Sequence, residues 1–323
     1  MLRYIAKRIL WLIPVLLGVT LLIFTIMYFT PGDPAAIILG GDSTQQARME
    51  LAEEMGLNDS YFVQLGRYLK GIFLHFDFGT SYIMHTSVTA ELMERFPRTL
   101  IIALSSILIA MLIGVPLGVT SAVHHNSVVD YISMFISLIG ISMPQFWLAL
   151  LLVILFAVQL GWLPPSGMEG PIYFILPCVA NAVGGIAMQA RQARSSVLEV
   201  IRADYIVTAK AKGQSEHNVI YKHALRNALI PIITVSGISF ANLLGGALVI
   251  ETIFSIPGIG IYMINGVNNR DYPVVEGSVI FLAMAFGIVM LIVDIIYAWV
   301  DPRIKAQYEA KAKAKKIRVK RGE

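Results

Sequence analysis

The chain has 323 residues, 56% hydrophobic and 14% charged, whereas a soluble domain carries roughly 45–50% apolar and about 25% charged residues. Its apolar residues gather in uncharged runs of about twenty or more, the length that crosses a bilayer, which excludes an ordinary soluble domain. The formal charge of +4 is informative through its distribution rather than its total.

The first run, 9–29, follows Arg3, Lys7 and Arg8. A cleaved signal peptide shares that basic start, but this run is longer than a typical h-region, and Tyr28-Phe29-Thr30-Pro31 offers no small-residue cleavage site, so it reads as a retained anchor. Residues 31–98 are too long for a turn and predict a small helical extracytoplasmic segment over the mouth of a pathway. In it, Pro31-Gly32-Asp33-Pro34 marks a tight turn. Ser43 is the expected N-cap of a helix ending near Gly56, and Asp59 or Ser60 starts a second through Tyr61, Leu65 and Tyr68. His75 and His85 have no supporting ligand cluster, so no metal site is assigned there.

Five more runs follow, at 99–123, 131–160, 171–190, 229–250 and 274–300, giving six spans in all. Only the sixth contains charged residues, Glu276 and Asp294. Charges cost several kcal/mol each at mid-membrane and lipid leaves backbone groups no partners, so the spans are helical and the fold class is all-α integral membrane with six transmembrane helices. Glu276 lies near one interface. Asp294 lies two turns from Asp301, within reach of cationic groups or water, and both acids read as structural. The rival reading, a proton-coupled secondary carrier with an intramembrane acid as its protonation site, lacks inverted repeats and broken helices with facing charges. Cys178, the single cysteine, sits inside an apolar run as a packing residue and forms no intrachain disulfide.

With six spans, the N-terminus, the 124–130 loop, the 191–228 loop and the C-terminal tail share one side, which holds 19 of the 25 Lys and Arg residues. By the positive-inside rule that side is cytoplasmic, with both termini inside. The tail at 302–323, basic from Lys311 to Arg321, is a solvated charge run near anionic membrane lipid and requires no nucleic acid. His124-His125 in the short cytoplasmic loop lacks a carboxylate or sulfur partner in sequence and reads as solvated.

The 191–228 loop carries the sharper signal. From Asp204 to Lys212 nothing breaks a helix, and small Thr208, Ala209 and Ala211 let another protein's backbone approach closely. Gly213 can end that helix in a left-handed conformation, and Ser215 can cap the next, which carries Val219, Ile220 and Leu225 toward the fifth span. Physically this is either a docking helix presented at a turn or a basic amphipathic connector on the membrane surface. Gly114 and Gly118 in the second span, and Gly237, Ala241 and Gly245 in the fifth, recur every four residues as close-packing stripes, with packing inside the chain favoured over packing against a second subunit.

These residues resemble the EAA loop of ATP-binding-cassette (ABC) importer permeases. The Glu-Ala-Ala…Gly pattern falls on Val207, Thr208, Ala209 and Gly213, with two leading letters changed. The stretch Thr208 to Gly213, followed by His223-Ala224-Leu225-Arg226-Asn227-Ala228-Leu229-Ile230-Pro231, resembles the dipeptide, oligopeptide and nickel branch. Further similarity runs through Phe78-Gly79-Thr80-Ser81, Met143-Pro144-Gln145-Phe146-Trp147, Gly161-Trp162-Leu163-Pro164, the 251–260 stretch from Glu251-Thr252-Ile253-Phe254 to Pro257-Gly258-Ile259-Gly260, Asp271-Tyr272-Pro273, and Val300-Asp301-Pro302-Arg303. The Gly-Asp-Pro exit and long outer segment are similar to the B-type subunit.

The resemblance implies a MetI-like type I importer fold, divided into an N-terminal tail and first span at 1–30, an extracytoplasmic segment at 31–98, a permease domain at 99–301 and a tail at 302–323. It implies a second, C-type permease, one or two kinds of ATP-binding subunit and an extracytoplasmic substrate-binding protein as partners, in a bacterial or archaeal cytoplasmic membrane. ATP and Mg belong on those ATPase subunits, since no Gly-Lys pair, and hence no P-loop, occurs here; this chain binds no cofactor and is not itself an enzyme. Asp204, Thr208, Ala209, Lys210, Ala211, Lys212 and Gly213 are the implied ATPase-coupling residues. Peptide import is the leading function and nickel or another small solute the alternative cargo. No substrate-contacting, catalytic or metal residue is assigned.

Overall fold

The computed structural model describes residues 2–40 and 42–300, and the expected tail at 302–323 lies outside them. The elements run in chain order as helices, starting with α1, Leu2–Phe29. Asp33 then caps α2, Pro34–Leu39, its carboxylate accepting the Ala35 and Ala36 amides at 3.1 and 3.2 Å, so the Pro-Gly-Asp-Pro turn is also a helix start. Helix α3, Gln45–Glu54, is capped by Thr44 rather than the expected Ser43, because Thr44 is the extended residue whose hydroxyl reaches the Ala47 amide. Ser43 instead donates to the Gly40 carbonyl and accepts from Arg48 Nε. Ser60 precedes α4, Tyr61–His75, as expected, though its side chain makes no capping bond. Helix α4 lies on the end of α1, where the Tyr61 and Thr25 hydroxyls are 2.7 Å apart and the Phe24 ring packs against Tyr61 and Tyr68.

Helix α5, Val88–Val123, is capped by Ser87 and spans about 54 Å at 1.5 Å per residue. The boundary expected between residues 98 and 99 therefore falls inside one helix. Its first turns are polar yet helical, held by Glu91–Arg95 and Glu94–Arg98 pairs four residues apart, so loss of hydrophobicity there did not signal loss of helix.

The third span departs most from expectation. It is two pieces, α6 (Val128–Ser142) and α7 (Gln145–Leu152, continued by a π-helical stretch Val153–Gln159), bent by 100°. The cause is local: Pro144 has no N–H and disfavours the helical region for the residue before it, and Met143 is extended at φ −75°, ψ 124°. Five helices are each long and apolar enough to cross a membrane, and this pair, taken as one broken span, makes six.

A 3₁₀ turn, Pro171–Phe174, opens α8, Ile175–Ile201; then come α9, Asp204–Ala211, a π-helical stretch Asn218–Ala224, α10, Leu225–Phe254, α11, Ile259–Asn269, and α12, Tyr272–Val300. Helix α8 is central, packing against α5, α6 and α10. Two glycines let α5 approach it. A Cβ on Gly114 would lie 2.5 Å from the Ile186 carbonyl oxygen, and one on Gly118 would strike the Ala190 carbonyl. That stripe thus packs within the chain, as does Gly237 against Val293 of α12, whereas Gly245 faces open space. Cys178 is buried, as a packing residue should be.

Two carboxylates lock the end of the molecule that carries α4 and α11. Glu251, fully buried, accepts from Thr99 at 2.5 Å and from the Ile261 amide, while Thr99 accepts the Ile259 amide, so the start of α11 is capped by a residue of α10 and one of α5. A Cβ on Gly258 would collide with the Glu251 carboxylate, and one on Gly260 would strike the Leu248 backbone at 2.5 Å. Asp271 accepts from Ser81 Oγ at 2.5 Å and from the Tyr82 and Ile83 amides, which joins the Phe78 to Ser81 motif to the Asp271-Tyr272-Pro273 motif across the fold.

Candidate functional site

At the opposite end, α9 stands on the turn between α8 and α10. Ile206 and Ala209 point inward onto Val219 and Ala224, with Val200 and Ile201 beside them. Asp204, Thr208, Lys210, Ala211 and Lys212 are exposed. Gly213 takes φ +72°, its amide donating to the Lys210 carbonyl at 2.9 Å, and the Gln214 amide closes on Ala209. Ser215 Oγ accepts the Asn218 amide and starts the next helix. The sequence-derived group thus comes together on one short helix, except that Ala209 belongs to the inner face and seats the helix instead of presenting itself. Two residues outside that group stand on the outer face: Tyr205 at 43% and Val207 at 61% exposure. The signal for them was available, because Ile206 and Ala209 define the inner stripe at a three-residue spacing and apolar residues off that stripe have no core to enter.

Earlier on α8 lies an ion pair with a buried carboxylate. Asp130 at the start of α6 accepts from Arg194 of α8 through Nε and Nη2, both at 2.7 Å, and also from Ser121 and the Asn126 amide. His125 joins it at 3.2 Å, while His124 Nδ1 faces the Thr120 carbonyl, so the pair expected to be solvated is half engaged in structure. Among the described residues no three His, Cys, Asp or Glu side chains gather where a metal ion could sit. Asp294 pairs with Arg8 of α1 at 2.9 Å.

Two cavities accompany these features. One of about 670 Å³ lies between α1, α4 and α12, lined by Tyr68, Tyr82, Tyr272 and Glu276 among others. Burial first, then the neighbouring Glu276 carboxylate, pushes the Tyr68 and Tyr82 hydroxyls well above the usual phenol range. The other, of about 290 Å³, opens at the break in the third span, between α6, α7, α8 and α10, with Gln145, Asn181, Ser239 and Asn242 on its walls. Sequence reasoning assigned no residue there.

Comparison with known proteins places the whole chain. The profile described as binding-protein-dependent transport system inner membrane component matches residues 114–306, and a companion N-terminal profile of the same kind of transport system matches 1–103. The dipeptide transport system permease protein DppB of Alkalihalophilus pseudofirmus is 43% identical over 94% of this chain and all of its own length. The glutathione transport system permease protein GsiC of Salmonella paratyphi A is 40% identical over 94% of this chain and 99% of its own, and a putative peptide transport system permease of Brucella abortus 41% over 93% and 98%. Among solved structures, an inward-facing form of the MetNI methionine ABC transporter aligns with TM-score 0.56 at 21% identity, over 65% of this chain and 96% of that one, a likeness of fold.

Proposed function

The chain belongs to the family of binding-protein-dependent transport system inner membrane components, and from that premise we propose that it is the B-type permease subunit of an ATP-driven importer of di- or oligopeptides. One observation carries the reading: an end-to-end correspondence, at 40% identity or more, with permeases named for dipeptide, glutathione and peptide transport. A partner permease, an ATPase and a substrate-binding protein follow from membership of such a system. The finer assignment is a C-type partner, one or two kinds of ATP-binding subunit that hold ATP and Mg, and a binding protein on the extracytoplasmic side of a bacterial or archaeal inner membrane, with both termini cytoplasmic.

In this reading α9 is the element that docks on the ATPase, offering Tyr205, Val207, Thr208, Lys210 and Ala211 outward, with Asp204 and Lys212 at its ends and Gly213 fixing the turn. ATP biases the transporter only by binding its two states differently. Closure of paired ATPases draws the α9 helices of the two permeases together and opens the pathway outward; hydrolysis reverses the motion. The pairing of Asp294 with Arg8 supports a structural acid over a proton-coupled carrier. Affinity purification of the tagged chain in mild detergent is expected to recover a second multi-span permease and P-loop ATPases, with the ATPases alone lost on Val207→Asp. Isolation of the chain by itself, with uptake driven by a proton gradient, would overturn the proposal.

A further inference from the structure

The broken third span leaves non-helical backbone at Met143 and Pro144, and such backbone is tolerated at membrane depth only where it is buried in protein or lines a cavity. Here it lines one. Asn181, on the far wall, lies about 15 Å along its helix from Pro171, where the fourth span begins, so the cavity sits deep in the membrane portion.

Its chemistry is narrow. The walls carry Gln145, Asn181, Asn242 and Ser239, the thioether of Met188 and several glycines, with no Asp, Glu, Lys or Arg. Asn181 is 3% exposed; its Oδ1 accepts from Gln145, while its Nδ2 has no partner. Leaving a buried donor unsatisfied costs about 1–3 kcal/mol; that amide has no accessible surface, so the contribution of Asn181 to the cavity is to hold the Gln145 side chain at its wall. Glycine walls let a ligand's backbone come close: a Cβ on Gly184 would meet nothing within 4 Å, and on Gly246 nothing nearer than 3.3 Å.

From these observations we infer that the cavity between α6, α7, α8 and α10 is a transient subsite for the peptide bonds of the cargo, with Gln145, Asn242 and Ser239 as a neutral donor and acceptor set and Asn181 positioning Gln145 through their hydrogen bond. This rests on the peptide-import reading and deepens it. Neutral amides set among apolar residues such as Leu148, Val183 and Leu243 match the paired N–H and C=O that every peptide bond carries and offer no charge to select termini or side chains. It is a poor host for a divalent transition-metal ion, which favours imidazole, thiolate or carboxylate ligands. At about 290 Å³, near the lower end of the range of roughly 300–1,000 Å³ for small-ligand pockets, it takes a short stretch of chain at a time.

The test uses the complete transporter in proteoliposomes, with Cys178→Ala and a probe at Gly184→Cys, and Ser239→Cys as the second probe position should the first impair uptake. N-ethylmaleimide labelling is expected to slow at least threefold during turnover with a saturating dipeptide and binding protein, and to be unchanged by Ni²⁺. Asn181→Leu is expected to abolish the protection and lower dipeptide uptake several-fold; if that variant fails to assemble with its partners, Gln145→Leu takes its place. Dipeptide uptake at the normal rate with no protection at either probe overturns the subsite while leaving peptide import standing. Equal protection by Ni²⁺ overturns the amide assignment. Uptake of another solute with no uptake of peptide overturns the functional reading itself.

Discussion

Gly213 gives the clearest handle on the coupling role proposed for α9. Its φ of +72° lies where a Cβ costs about 1–2 kcal/mol, and since a Cβ there would touch nothing within 4 Å, that backbone penalty is the whole cost of Gly213→Ala. It corresponds to a roughly 5–30-fold loss of the capped conformer. Asn tolerates the left-handed region better than other residues, so Gly213→Asn should lose less. Proline fixes φ near −65° and removes the amide that donates to Lys210, costing about 3 kcal/mol or more. Because α9 lies outside the spans, insertion should be unchanged, and the ratio of peptide imported to ATP hydrolysed in proteoliposomes should fall in the order Asn, Ala, Pro. A Pro variant with wild-type coupling, or Asn and Ala variants that are equally impaired, would refute the argument that the cap geometry transmits force.

Three further outcomes follow from packing. Arg194→Ala leaves the Asp130 carboxylate buried without its main partner and should destabilise the chain by about 3–5 kcal/mol, whereas Arg194→Ala with Asp130→Ala should recover much of that, read as thermal inactivation in detergent. Gly118→Val must push α8 away from α5 and should reduce folded protein several-fold by fluorescence size-exclusion, while Gly245→Ala, with open space at its Cβ, should be neutral. Glu251→Ala orphans Thr99 and the start of α11 and should increase proteolysis between residues 255 and 270, while Thr99→Ser keeps the hydroxyl and should not.

The residues whose role depends on local rules were legible. Gly213 ends α9 and Ser215 starts the following helix because each acts within four residues of itself. The six apolar runs likewise mark the spans, since lipid imposes one length on all of them. What escaped depends on distant partners or on a single residue overruling its surroundings. The 131–160 run is uniformly apolar, yet Pro144 bends it by 100°. Glu251 directly follows the expected fifth span and enters the sequence reading only as part of a motif, whereas its burial is made possible by Thr99, 152 positions away. Asn181 and Gln145 lie within uncharged runs, and only the folded arrangement shows that one side of Asn181 has a partner and the other none.

Helix α8 connects these features mechanically. Within one unbroken helix it carries Asn181 on the cavity wall and Arg194 on the buried ion pair, about 20 Å apart at 1.5 Å per residue, and α9 begins three residues after it ends. Gly114 and Gly118 bring α5 into backbone contact with this helix, so α8 cannot move toward it, and Arg194 ties it to α6, the helix that leads to the break at Met143 and Pro144. In the proposed cycle a displacement applied at α9 would reach both walls of the cavity together, Asn181 through α8 and Gln145 through α6 and the bend. The Asn181–Gln145 hydrogen bond spans those two walls, so a small change in their separation alters the amide arrangement of the proposed subsite. Retaining a proline break and an unsatisfied amide inside the membrane costs stability, and the proposed subsite, which must alternately hold and release a neutral ligand, gives that cost a physical reason.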